Sequence, residues 1–229
     1  MNRKLIAAID TPDLARARDL IAQVAPHCGL VKLGLEFFLH HGPMGYRRAA
    51  EGVPVFLDLK LHDIPNTVAG GVRALLDLAP KLLTIHAQGG ARMVAAAAEA
   101  AAQLGPERPK ILAVTVLTSL GAPDLAEMGV TGEVSAQVLR LARVALENGA
   151  DGLVCSAHEI AALRAEFGAR RLLVVPGIRP TGTALGDQTR VMTPEEAVAA
   201  GADYIVVGRP ITGAPDPGRA AAEIAASVA

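Results

Sequence analysis

The chain has 229 residues, 51% of them hydrophobic and 20% charged, a balance that excludes a disordered protein. Twenty-two Lys and Arg stand against 23 Asp and Glu, for a formal net charge of −1. No long basic run offers a footprint for nucleic acid. Taken in chain order, strand-like runs fall at residues 4–9, 30–34, 53–60, 81–85, 111–116, 152–155, 172–175 and 204–207. Helix-like stretches lie between them, among them 93–104, 135–148, 157–167 and 194–200. Thr193-Pro194-Glu195-Glu196 has the form of an N-cap followed by proline and acids in the first turn. Asn148-Gly149 and Ala200-Gly201 have the form of helix stops.

Eight strand-then-helix units point to an α/β fold of one domain spanning 1–229, a closed parallel (β/α)8 TIM barrel. An open doubly wound sheet usually carries a Gly-rich dinucleotide turn after its first strand, and Ile9-Asp10-Thr11-Pro12 is not one. Aromatic residues make up only 3% and Trp is absent, so the core must be built from Leu, Val, Ile and Ala. Cys28 and Cys155 are too few for a disulfide framework and read as reduced thiols. The apolar run at 5–9 is too short for a signal-peptide core, and no segment reads as a membrane span, so a cytoplasmic protein is expected.

In such barrels the active site lies at the C-terminal ends of the strands. Those ends are polar here: Asp10, Lys32, Asp58 with Lys60, His86, Thr118, Ser156 and Arg209. The third strand and its loop are the most informative. Side chains alternate along a strand, so Val55, Leu57, Leu59 and Leu61 share one face and Phe56, Asp58 and Lys60 the other, inside the barrel. Asp63 follows where the strand gives way to a loop, and Pro65 begins a helix. A lone buried Asp–Lys pair is a poor stabilising device, because desolvating two charges costs several kcal/mol. A second lysine on the neighbouring strand, Lys32, together with Asp63, makes an alternating set of two acids and two bases. That arrangement points to chemistry.

The run Asp58-Leu59-Lys60-Leu61-His62-Asp63-Ile64-Pro65-Asn66-Thr67 resembles the signature of the orotidine 5′-phosphate decarboxylase family. The resemblance spans nearly the whole chain, through Ala8-Ile9-Asp10, Val31-Lys32-Leu33-Gly34, the segment 114–119 ending Leu117-Thr118-Ser119, Pro176-Gly177-Ile178-Arg179-Pro180, Gly186-Asp187-Gln188 and Val207-Gly208-Arg209-Pro210. The Asp-x-Lys-x-x-Asp core is shared with metal-dependent sugar-phosphate decarboxylases and synthases on the same barrel. The Ile-Pro-Asn-Thr extension, the Leu-Thr-Ser segment and the Gly-Asp-Gln loop narrow it, and no matched position departs from the family pattern.

The resemblance implies that Lys60 donates a proton to C6 of the pyrimidine, with Asp58 beside the departing carboxylate and Lys32 holding Asp58 and the ribose. It implies that Asp10 binds the ribose, Thr118 the pyrimidine edge, and Gln188, Gly208 and Arg209 the phosphate, with Arg179 at the base of a closing loop. Asp63 and Thr67 are implied to enter a partner's site in a homodimer. No metal and no organic cofactor is implied.

Elementary chemistry agrees. Loss of CO2 from C6 leaves a carbanion with no adjacent carbonyl to delocalise it, and a fixed ammonium both stabilises that charge and delivers a proton. Two flanking carboxylates favour the charged lysine in a desolvated site. Arg209 and the backbone N–H groups around it follow the last strand, where they can meet an anion and where barrel phosphate sites commonly lie; the turn is expected to open the last helix. The connection 177–193 is long enough to be a lid acting through Gln188. His62 reads as a structural hydrogen-bonding residue on the opposite side of the strand, and His86 as a residue lining the pocket or supporting it. No His, Asp or Glu set has metal spacing, and no Ser-His-acid or Cys-His arrangement is present. The competing readings are the metal-dependent sugar-phosphate enzyme and a catalytically silent nucleotide-binding protein.

Overall fold

A computed structural model describes residues 4–180 and 192–229. Eight parallel strands, β1 (Leu5–Ile9), β2 (Leu30–Gly34), β3 (Val55–Leu61), β4 (Leu82–His86), β5 (Lys110–Val114), β6 (Gly152–Val154), β7 (Leu172–Val175) and β8 (Tyr204–Val207), close into a barrel in sequence order. The helices around it are α1 (Leu14–Val24), α2 (Leu35–Ala49), α3 (Pro65–Leu75), α4 (Gly90–Ala102), α5 (Ala122–Glu127), α6 (Val134–Glu147), α7 (Ile160–Phe167), α8 (Pro194–Ala200), α9 (Arg209–Thr212) and α10 (Pro217–Ser227). Among the described residues, no helix is long and apolar enough to cross a membrane.

Two apolar layers follow from the period-2 alternation of the strands. Outward-facing residues such as Leu5, Val31, Leu57, Leu83 and Ile111 pack beneath the helices. Inward-facing Ile6, Leu30, Phe56, Leu82, Leu112 and Val174 fill the barrel as a floor. Two residues further along β2, β3 and β4 the inward face turns polar, with Lys32, Asp58 and Thr84. The site therefore stands directly on a close-packed base.

Local chemistry sets the element ends. Thr193 accepts from the Glu196 N–H while Glu196 accepts from the Thr193 N–H, a reciprocal cap that starts α8. Gly201, at φ 113°, ends that helix in a conformation that disfavours a side chain. Gly152 answers to crowding: a Cβ there would sit 2.4 Å from the Leu172 carbonyl oxygen, so the β6–β7 approach requires glycine. Cys28 and Cys155 are buried and in no disulfide, and burial, with Glu159 nearby, pushes the Cys155 thiol up.

At the opposite end of the barrel from the polar layer, Arg108 donates to both carboxylate oxygens of Asp151 at 2.7 Å, and Asp151 also accepts the Ile111 N–H at 2.8 Å. Burial opposes the Asp151 carboxylate, but these donors and Lys110 hold it below the usual range. Asp151→Ala strands a guanidinium and a backbone N–H, with an expected cost of about 2 kcal/mol. A thermal melt should fall by roughly 4–8 °C. Turnover at 25 °C should not change, since this clamp lies below the floor.

Candidate active site

A cavity of about 430 Å³ opens above the polar layer. That is within the ordinary range for a small-molecule site. Its charged lining comes from six residues on five strands or the loops after them: Asp10, Lys32, Asp58, Lys60, Arg179 and Arg209.

Four of these form one chain of ion pairs. Lys32 Nζ lies 3.0 Å from Asp10 Oδ1 and 3.7 Å from Asp58 Oδ2. Lys60 Nζ donates to both Asp58 oxygens at 2.8 Å. Asp58 is buried, and burial alone would raise its pKa; Lys32 and Lys60, with hydrogen bonds from Lys60 and Thr84, bring it below the usual carboxylate range. Burial likewise works against the Lys32 ammonium, but Asp10 and Asp58 outweigh it and the pKa ends above its ordinary value. The cluster is a fixed set of alternating charges in a desolvated wall.

The backbone under Lys60 is irregular. Its φ is +52°, a left-handed conformation that costs a residue with a side chain about 1–2 kcal/mol. The β3–β4 register slips at the same place, with Leu57 opposite Leu83 but Leu61 opposite Ile85, so four steps on β3 face two on β4. Val55, Leu57 and Leu59 still pack outward and Lys60 still reaches the cavity, so the expected faces survive a break in the expected regularity.

The cationic pair sits across the barrel. Arg179 follows β7 and Arg209 follows β8, whereas Asp58 and Lys60 end β3. Arg179 is buried; its N–H donates to the Met192 carbonyl and its guanidinium to that of Ile178. Burial and the neighbouring Arg209 both push the Arg179 pKa down. Gly208, which follows β8, lines the cavity beside Arg209. The loop does not open the last helix as expected. Arg209 starts the four-residue α9, and α10 follows separately after Asp216.

Residues 3–224 match the family model described as Orotidine 5′-phosphate decarboxylase / HUMPS family. The chain belongs to that family. An orotidine 5′-phosphate decarboxylase of Anaeromyxobacter sp. (strain K) is 55% identical over 99% of both chains, and one of Thermobifida fusca is 53% identical over 100% of this chain and 97% of its own. The crystal structure of an orotidine 5′-phosphate decarboxylase from Lactobacillus acidophilus, 38% identical, covers 99% of both chains with a TM-score of 0.88.

Of the site residues expected of an orotidine 5′-phosphate decarboxylase, Asp10, Lys32, Asp58, Lys60, Thr118, Arg179, Gly208 and Arg209 line the one cavity. Asp63 and Thr67 do not. Both are exposed, Asp63 accepting the Ile64 N–H and Thr67 lying in the first turn of α3. Gln188 and most of the loop expected to act as a lid lie outside the described residues. His86 is half-buried and does not line the cavity; its Nδ1 has no hydrogen-bond partner, and its ring lies 5.3 Å from that of the exposed His62. Among the described residues His62 forms no hydrogen bond, and its ring contact is with His86. Ser156, polar and at a strand end, caps the turn after β6 through Glu159 and stays out of the cavity.

One residue that bears on the charged cluster was missed. Thr84 is fully buried and donates to Asp58 Oδ1 at 2.9 Å. The available signal was period 2: Thr84 stands two residues past the inward-facing Leu82, as Asp58 stands two past Phe56.

Proposed function

We propose that this chain decarboxylates orotidine 5′-monophosphate to UMP and CO2, a step of de novo pyrimidine biosynthesis, with Lys60 as proton donor. The observation that supports it most is the Lys60 ammonium bridging both oxygens of Asp58 at the cavity wall, with an arginine pair across the barrel. The 5′-phosphate meets Arg179, Gly208 and Arg209, joined by Gln188. The ribose lies against Asp10 and Lys32, and Thr118 meets the pyrimidine edge. The carboxylate on C6 then faces Asp58 and Lys60. The C6–carboxylate bond breaks, its electron pair stays on C6, and an N–H proton of Lys60 moves to that carbon. Lys60 recovers its proton from solvent after release of UMP. Preorganised charge at the carbon where charge develops supplies the catalysis.

The decisive experiment is loss of orotidylate absorbance on incubation with the purified chain, and a chain that leaves orotidylate intact overturns the reading. This mechanism assigns no step to a metal or organic cofactor. Asp10 and Asp58 are engaged by lysines, and among the described residues no three His, Cys, Asp or Glu groups converge where a metal could bind. Exhaustive EDTA treatment should therefore leave turnover unchanged. Activity lost to chelation and restored by Mg²⁺ would turn the assignment to the sugar-phosphate enzymes.

The working unit in this proposal is a cytoplasmic homodimer of one-domain barrels spanning 1–229, with Asp63 and Thr67 entering the partner's site. Asp63 stands outside its own cavity yet at the barrel mouth. Its chain neighbour Ile64 is a large apolar side chain that is 68% exposed, and Leu35 and Leu39 on α2 are exposed as well, at 51% and 73%. Exposed apolar side chains of this size are what a partner barrel would cover. Mixing two nearly dead variants, Lys60→Ala and Asp63→Asn, under subunit exchange should restore activity, because one site of a mixed dimer carries neither lesion. Random pairing limits recovery to about a quarter of wild type in an isologous dimer. If exchange is demonstrated and the mixture remains as dead as its parts, the sites are not shared.

A further inference from the structure

We propose that Thr84 is a positioning residue of this active site, its hydroxyl fixing Asp58 and the Lys60 backbone so that the Lys60 ammonium is aimed into the cavity. The inference rests on the decarboxylase reading above. Thr84 does not line the cavity and so acts through other groups.

A hydroxyl has one proton to donate and lone pairs to accept with. The Thr84 oxygen accepts the Lys60 N–H at 2.9 Å, and its hydroxyl donates to Asp58 Oδ1 at 2.9 Å. One atom thus ties the irregular backbone of the reacting lysine to the carboxylate that its own ammonium grips. Left-handed backbone at a residue with a side chain persists only where its surroundings over-determine it. Here the β3–β4 register has slipped, and the Lys60 N–H is taken up by a β4 side chain. Thr84 itself cannot drift, being fully buried and paired in the ladder opposite Leu112.

A purely structural threonine would stabilise the barrel without selecting the pose of Lys60. Catalytic geometry is the more sensitive quantity, since a small misplacement at a reacting group costs far more rate than binding. Thr84→Val keeps the size and removes both hydrogen bonds, whereas Thr84→Ser keeps donor and acceptor on the same atom.

The test measures kcat and KM for orotidylate, the Kd for UMP and thermal melts for the full-length chain and its Val, Ser and Ala variants. Thr84→Val is expected to lose about 100-fold or more in kcat while its Kd for UMP moves by less than about threefold. Thr84→Ser is expected to stay within about tenfold of wild-type kcat. The proposal falls if Thr84→Val keeps more than about a third of wild-type kcat, or if its kcat and UMP affinity fall in proportion. It falls equally if Ser is as impaired as Val. Should Thr84→Val not fold, the Ser-to-Ala ratio of kcat decides: above about ten supports the role, and equality overturns it. A wild-type chain inert toward orotidylate overturns the decarboxylase reading and this inference together, whereas an active wild type with an indifferent Thr84 overturns only the latter.

Discussion

Lys60→Ala is expected to fold, to bind UMP, and to turn over orotidylate at least roughly 10⁴-fold more slowly than wild type. The magnitude comes from two roles on one group. A preorganised charge at the developing anion is worth about 10²–10³ in rate, and a positioned proton donor about 10²–10⁴. Removing Lys60 removes both, and no other ammonium replaces it: Lys32 is held 3.0 Å from Asp10 and is 3.7 Å from Asp58 on its other side. UMP binding should survive because the proposed phosphate contacts, Arg179 and Arg209, lie across the barrel from Lys60. Single-turnover kinetics with a parallel UMP titration checks both halves. A variant keeping more than about a tenth of wild-type turnover would free Lys60 from both roles.

The second large effect is expected at the other end of the cavity. Arg209→Ala removes one of the two cations proposed to meet the phosphate, and truncating a charged partner in a desolvated contact costs about 2–5 kcal/mol. A loss of about 10²–10³-fold in kcat/KM follows from the middle of that range. KM should rise as well, since the phosphate is bound before reaction. If phosphate contact also drives the chemical step, free phosphite should partly rescue a substrate truncated at the phosphate, as expected when remote binding energy lowers the barrier. Orotidine reacting as well as its phosphate ester would remove this turn from the reaction.

The architecture was legible because strand and loop chemistry agreed along the chain. Residues 30–34, 172–175 and 204–207 read from β-branched and leucine runs are the bounds of β2, β7 and β8. The alternation through Phe56 and Asp58 put the acid inside the barrel, where it lies. The irregularities resisted reading for a physical reason. A register slip depends on how two strands meet, so the left-handed Lys60 and the hydroxyl that supports it arise from β4 as much as from β3. The end of the chain misled in a related way. Gly208-Arg209-Pro210 has the form of a helix start and is one, but the helix lasts four residues and the last helix begins anew at Pro217. Cavity lining by Arg179 came from family resemblance, because a loop residue has no periodicity to place it.

The charges around the cavity also bear on how the site resets. Two aspartates, two lysines and two arginines leave the wall with a surplus of two positive charges. A phosphate monoester near its dianionic form balances that surplus, so bound UMP leaves the pocket close to electroneutral. Orotidylate brings one further negative charge on its carboxylate. Carbon dioxide leaves without it, and with Lys60 as the proposed donor the proton that neutralises C6 comes from the wall itself. The pocket is then still one positive charge short of balance until water returns a proton to Lys60. On the proposed mechanism each catalytic cycle therefore ends in proton uptake from solvent, a stoichiometry set by the charges that line the pocket.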